Sequence, residues 1–133
     1  MGKKLRLNLP DKDAVVKYII NKNCRIKAYE IAEHFNIYDG RPFGPADASR
    51  DIGFFLGQCT KFAFKEYQVV ICSSRHGHYV GKTEQDALDY EEYMKKHAAG
   101  TLRTMEEKAA LIRKQIKNPD LLISNLRKAG LLN

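Results

Sequence analysis

Cysteine is scarce in this chain: Cys24, Cys59 and Cys72 are the three in 133 residues. An odd, unclustered set supports neither a disulfide framework nor a CxxC-type metal site. Two of the three fall on expected core faces, so reduced, buried thiols are the reading. Long apolar runs are missing as well. Nothing approaches the ~18 residues of a membrane span, and Met1-Gly2-Lys3-Lys4-Leu5 has no apolar stretch behind its charges. A myristoylation signal at Gly2 is incomplete, because Arg6 stands where Ser or Thr is wanted. A cytoplasmic location with no membrane partner is expected. Catalytic signatures are lacking too: no P-loop, GxGxxG, HExxH or GxSxG. His76-Gly77-His78 has no third ligand nearby, and His34 and His97 stand alone. The expectation is a protein that is not an enzyme, with no cofactor and no metal.

What the chain does have is positive charge, with a formal net charge of +7. It is unevenly spread. Residues 1–82 carry 14 Lys/Arg against 8 Asp/Glu, whereas residues 83–133 carry 9 against 8. A basic segment attracts polyanions through counterion release, which makes double-stranded DNA the first partner to consider. Charge alone does not decide it, since many basic proteins bind no nucleic acid specifically.

The pattern inside the basic segment is more specific. Between Ala46 and Lys61, apolar residues at Ala48, Ile52, Phe55, Leu56 and Cys59 follow one helical face. Gln68-Val69-Val70-Ile71-Cys72 and His78-Tyr79-Val80 then read as strands joined by a Gly-containing turn, a hairpin. Upstream, Asp11 or Asp13 caps a helix through about Asn21, with Ala14, Val15, Tyr18 and Ile19 inward. A brief extended segment, Arg25–Lys27, follows, and then a helix from Ala28 to Phe35. These two helices are too short to bury their faces without the third. The resulting order of helix, short strand, helix, helix and hairpin is that of a winged helix-turn-helix, preceded by a short basic arm (Lys3, Lys4, Arg6). Between the second and third helices, residues 36–45 hold two Gly and two Pro and read as a loop. Tyr38, Arg41 and Phe43 in it are either contacts at a binding surface or, for Phe43, core.

On the far side of the third helix lie Ser49, Arg50, Gly53, Phe54, Gly57, Gln58 and Lys61. Arg50, Gln58 and Lys61 have donors suited to base edges and phosphates. Asp47 and Asp51 suit a helix N-terminus but repel phosphate. Gly53 and Gly57 each lower helix stability by roughly 1 kcal/mol against Ala, so something close by should offset them. Ser49, Arg50, Gln58 and Lys61 on the helix, Lys65 in the link, and Arg75 and His76 at the hairpin tip are the candidate DNA-binding residues.

From Thr83 the texture changes. Thr83-Glu84-Gln85-Asp86 resembles a capping box, and helical pattern runs to about Lys117, acidic over 83–97 and basic over 101–117. Ala98, Leu102, Met105, Ala109, Ile112 and Ile116 make a coiled-coil-like seam, which suggests a homodimer through residues 98–116, antiparallel so that acidic and basic halves meet. The alternative is that the seam packs on the chain's own domain. Asn118-Pro119 breaks the helix, and a short terminal helix follows. Its Leu121, Leu122, Ile123, Leu126, Leu131 and Leu132 dock back, swap between protomers, or anchor a protein partner through residues 119–133.

The expected fold is therefore mostly α with a small β-hairpin (α+β). It comprises a winged helix-turn-helix over 1–82, a long helix over 83–118 and a hydrophobic terminal segment over 119–133. The runs Ser49-Arg50-Asp51-Ile52-Gly53-Phe54-Phe55-Leu56-Gly57-Gln58, Val69-Val70-Ile71-Cys72-Ser73-Ser74, Gly77-His78-Tyr79-Val80 and Thr83-Glu84-Gln85-Asp86 resemble small winged-helix proteins of phages and mobile elements. That resemblance spans roughly residues 13–117. It implies a sequence-preferring DNA-binding regulator or replication accessory protein, with Arg50, Gln58, Lys61 and Arg75 at the DNA. The long Gly/Pro loop, the acidic helix positions and His78 between Gly77 and Tyr79 depart from the pattern. They keep a second reading open, an adaptor or inhibitor that binds another protein through loop 36–45, helix 46–61 or the terminal segment.

Overall fold

The computed structural model describes residues 6–97 and 102–131. It is mostly helical (66%), with one small antiparallel two-stranded sheet. Helix α1 spans Lys12–Lys22, α2 Ala28–His34 and α3 Pro45–Tyr67; strands β1 (Ile71–Ser74) and β2 (Gly77–Val80) follow; α4 spans Glu84–His97, α5 Leu102–Lys117 and α6 Pro119–Lys128.

Helix α1 buries Val15, Val16, Ile19 and Ile20, while Ala14, expected inward, is exposed. Helix α3 is longer than its apolar spacing suggested and buries Ala48, Ile52, Phe55, Leu56, Cys59 and Ala63 along one stripe. Pro45 at its first turn needs no N–H partner there, and the Asp47 carboxylate accepts from Gly44 N–H at 2.7 Å, which fixes the helix start. Gln68 ends it in the left-handed conformation. The Tyr67 hydroxyl donates to Asp13 at 2.6 Å, tying the end of α3 to the start of α1.

The hairpin pairs Ile71 with Val80 and Cys72 with Tyr79. Successive strand residues face opposite sides. On one side Val69, Ile71 and Val80 enter the core made with α1, α2 and α3. On the other, Val70, Cys72 and Tyr79 join Ala87, Tyr90, Met105 and Ile112 of α4 and α5 in a second core. Ile26, in the link between α1 and α2, forms an antiparallel bridge with His78: Ile26 N–H to His78 C=O at 2.9 Å and the reverse at 2.7 Å. Gly77 permits that approach. Its φ is +122°, and a Cβ there would sit 2.6 Å from the Ile26 carbonyl oxygen.

Several expectations change. The single long helix over 83–118 is two helices, α4 and α5, packed on each other; the point at Gly100 where continuity was in question lies outside the described residues. The Arg113 guanidinium reaches Glu84 at 3.0 Å and Glu91 at 2.7 Å. The acidic and basic halves thus meet within one chain. Of the proposed dimer seam, Met105, Ala109 and Ile112 are buried in the chain's own interior, Leu102 and Ile116 are exposed, and Ala98 lies outside the described residues. The described part of the terminal segment docks back, with Leu126 and Ala129 in the first core and Leu122 and Leu131 packed on it, while Leu132 lies outside the described residues. Asn125 and Gln115 both donate to the Gln68 carbonyl. That leaves Ile123, 42% exposed, as the large apolar group α6 offers to a partner. In the loop, Tyr38 is buried, its hydroxyl donates to Asp51 at 2.7 Å, and Phe43 stacks on its ring at 4.2 Å. Both serve packing. Nor is the arm free throughout: the Arg6 carbonyl accepts from Arg41, and Asn8 N–H donates to Ile37. Its first five residues lie outside the described ones.

Two outcomes follow from the bridge. Replacing Gly77 by Ala forces the Ile26 backbone away, and urea midpoints are expected to show a loss of about 1–3 kcal/mol. Burial pushes the His78 imidazole down to about 4, from an ordinary 6.5. Between those values the unfolded chain binds a proton that the folded chain does not, so the His78 contribution is present above pH 6.5 and lost as pH falls toward 4. From pH 7 to pH 4, wild type is expected to lose roughly 2 kcal/mol more than His78→Gln. Carboxylate contributions are common to both proteins and drop out of that difference.

Candidate nucleic-acid interface

The outward arc of α3 and the inner edge of the hairpin bound a cleft of about 790 Å³, closed on its far side by α4 and α5. Its position follows from the second core. Because α4 and α5 must cover Val70, Cys72 and Tyr79, they stand beside α3 and wall off the space next to its solvent-facing side. Arg25 locks that wall, pairing with Asp89 at 3.0 Å and Asp86 at 3.5 Å while its guanidinium lies 4.2 Å from the Tyr79 ring. Gly81 adds a close approach, since a Cβ there would meet Ile112 at 2.6 Å.

Four cations line the cleft, Lys27, Lys61, Arg75 and Lys108, and among the described residues no carboxylate does. Three of the seven candidates, Ser49, Lys61 and Arg75, come together there. The other four do not. The Arg50 guanidinium is held by Asp51 at 2.9 Å and Asp47 at 3.2 Å, so its charge is locally neutralised. Gln58 is half-buried; Lys65 is exposed away from the cleft; His76 accepts from Arg75 Nε at 3.3 Å at the tip.

Sequence reasoning missed Lys108, Lys27 and Tyr90. Lys108 is 5% exposed, its ammonium lies 5.6 Å from the Phe64 ring, and it makes no ion pair among the described residues. Burial lowers its pKa, and the like charge of Lys61 lowers it further. Tyr90 is 2% exposed and its hydroxyl has no hydrogen-bond partner among the described residues. A signal for Lys108 exists in the sequence: it lies three residues after Met105 and four before Ile112, a charge in the phase of an apolar stripe. Phe54 is the other outlier, 82% exposed on α3.

Gly53 and Gly57 open onto the cleft, and at neither would a Cβ meet any atom within 4 Å. No neighbour among the described residues offsets their low helix propensity. Among the described residues no group of three His, Cys, Asp or Glu is placed to hold a metal ion, and no helix is long and apolar enough to cross a membrane. A scan against protein-family models finds no match, and searches of curated proteins and of solved structures return none.

Because both glycines are helical, exposed and uncrowded, Gly57→Ala is expected to raise stability by about 0.5–1 kcal/mol, with Gly53→Ala alike and the two additive in thermal melts. A loss of stability in either would mean that the space beside α3 is occupied.

Proposed function

We propose that this protein is a winged-helix, double-stranded DNA-binding protein, a regulator or accessory factor of transcription or replication that works by occupying a site. The observation that carries this reading is the positive charge of Lys61 on α3 and Arg75 on the hairpin, on one surface that no carboxylate among the described residues lines. The order α1, Ile26 bridge, α2, α3, β1, β2 supports it, because a winged helix presents its third helix and hairpin side by side. Phosphate contacts from Lys61, Arg75 and the rim residue Lys27 supply most of the affinity, and Ser49 is the α3 group on that surface left to read base edges. Arg50 contributes less than its chemistry suggests, because two aspartates already hold it.

A second reading, a protein-binding adaptor, is favoured by Phe54, which stands out on the same helix. A labelled random duplex titrated at 50 and 200 mM salt separates the two. The DNA reading expects affinity to fall steeply with salt, and Lys61→Ala with Arg75→Ala to weaken binding to all sequences alike while flattening the salt slope by about 1 per residue. Arg50→Ala is expected to change affinity less than either. No duplex binding at 50 mM salt, or normal binding by the Lys61→Ala, Arg75→Ala double variant, hands the assignment to the adaptor.

A further inference from the structure

The floor of the cleft differs in character from its rim. Lys61 and Arg75 are exposed and within reach of any polyanion; Lys108 is 5% exposed and makes no ion pair among the described residues, and Tyr90 is 2% exposed with a hydroxyl that has no hydrogen-bond partner among them. Lys108 lines the cleft with most of its side chain covered by protein and no carboxylate paired with it among the described residues, so an anionic group that enters would supply the counter-ion it lacks. A single strand presents one phosphate or one unstacked base at a time and so can follow a cleft to its floor, where a duplex meets chiefly the exposed rim. The lining suits that chemistry, with cations from four different parts of the chain, no described carboxylate, and the rings of Tyr29, Tyr90 and Tyr93. Cationic grooves with aromatic platforms are how proteins hold single strands without reading sequence.

We propose that the cleft between α3, the hairpin and α4–α5 binds a single strand of DNA, with Lys108 taking a phosphate at its floor and the tyrosine rings receiving bases. The proposal rests on the nucleic-acid reading above for its class of polymer, but not on the rim contacts that hold the duplex. It gives the protein a use for unpaired DNA next to a duplex. It also accounts for Gly53 and Gly57, whose missing side chains keep the space open.

The test is fluorescence anisotropy on the full chain, with labelled oligo-dT of twelve nucleotides and, separately, a random duplex. Wild type is expected to bind the oligo-dT. Lys108→Met is expected to bind it at least tenfold more weakly, with a salt slope flatter by roughly 0.7, the increment for one phosphate on a single strand. Duplex affinity changes less than twofold, and Lys108→Arg restores the strand. Unchanged oligo-dT affinity in Lys108→Met overturns the proposal. If Lys108→Met does not fold, Gly57→Glu reads the same cleft from an uncrowded helix position, and unchanged oligo-dT binding there overturns it equally. Thymidine monophosphate should displace the strand only at far higher concentration; displacement at matched concentration makes this a nucleotide site and overturns the strand. Equal affinity for poly-glutamate of matched charge overturns it in favour of an acidic peptide. Duplex binding without oligo-dT binding sinks this proposal alone, and binding of neither sinks the nucleic-acid reading with it.

Discussion

Both faces of the β-hairpin are apolar, and the chain must therefore cover it twice. Val69, Ile71 and Val80 point into the helical core of α1–α3, and Val70, Cys72 and Tyr79 point the other way. A two-stranded hairpin is marginal by itself in water. Here it is held as a partition between two hydrophobic layers, with the Ile26–His78 bridge pinning one edge. Almost everything else is a consequence. The α4–α5 pair is needed to cover the second face. Its position is then fixed by Arg25 and by the contact of Ile112 on Gly81, and the strip of α3 left uncovered faces a cleft instead of open solvent.

That arrangement leaves most of the hairpin inside the fold. Its body is interior, and only the tip, Arg75 and His76, projects. A basic tip on a hairpin held this way would lose less conformational entropy on meeting a partner than one on a free loop. The charges sort in the same way. Arg25, Arg50 and Arg113 are all engaged by carboxylates. Lys27, Lys61 and Lys108 pair with no carboxylate among the described residues, and these three lie along the cleft. Formal net charge treats the two groups as equal; only the second is available to an anion.

How much of this was legible in the sequence depended on which physical signal each element left. The α3 stripe and the hairpin were legible, because periods of 3.6 and 2 are local. The continuous run Val69–Cys72 even carried the two-sided burial, since a strand with one solvated face would alternate. The α4–α5 division was not, because nothing in the acidic and basic halves says whether they meet within a chain or between chains; that is decided by what the hairpin leaves uncovered. The face of α1 was misread by one position, Ala14 for Val16, since two interleaved apolar sets fit a short helix almost equally. Of the site, Ser49, Lys61 and Arg75 were accessible to residue-type reasoning. Lys108 was not, because a lysine in the stripe of Met105 and Ile112 reads as the edge of a solvated face until the fold brings α5 to the cleft.

Two glycines and one lysine work against stability at the same place. Gly53 and Gly57 weaken α3 where alanine would fit without contact, and Lys108 holds an ammonium against Phe64 and close to Lys61. An interior optimised for folding alone would fill the first two positions and put an apolar side chain at the third, each change favourable by elementary propensity and desolvation. Residues that violate local rules without a partner inside the chain concentrate where something outside it is expected. Here the three violations share one cleft. The unfavourable terms have the same sign, and an anionic group able to enter would relieve the one at Lys108 directly, by giving its ammonium a counter-ion.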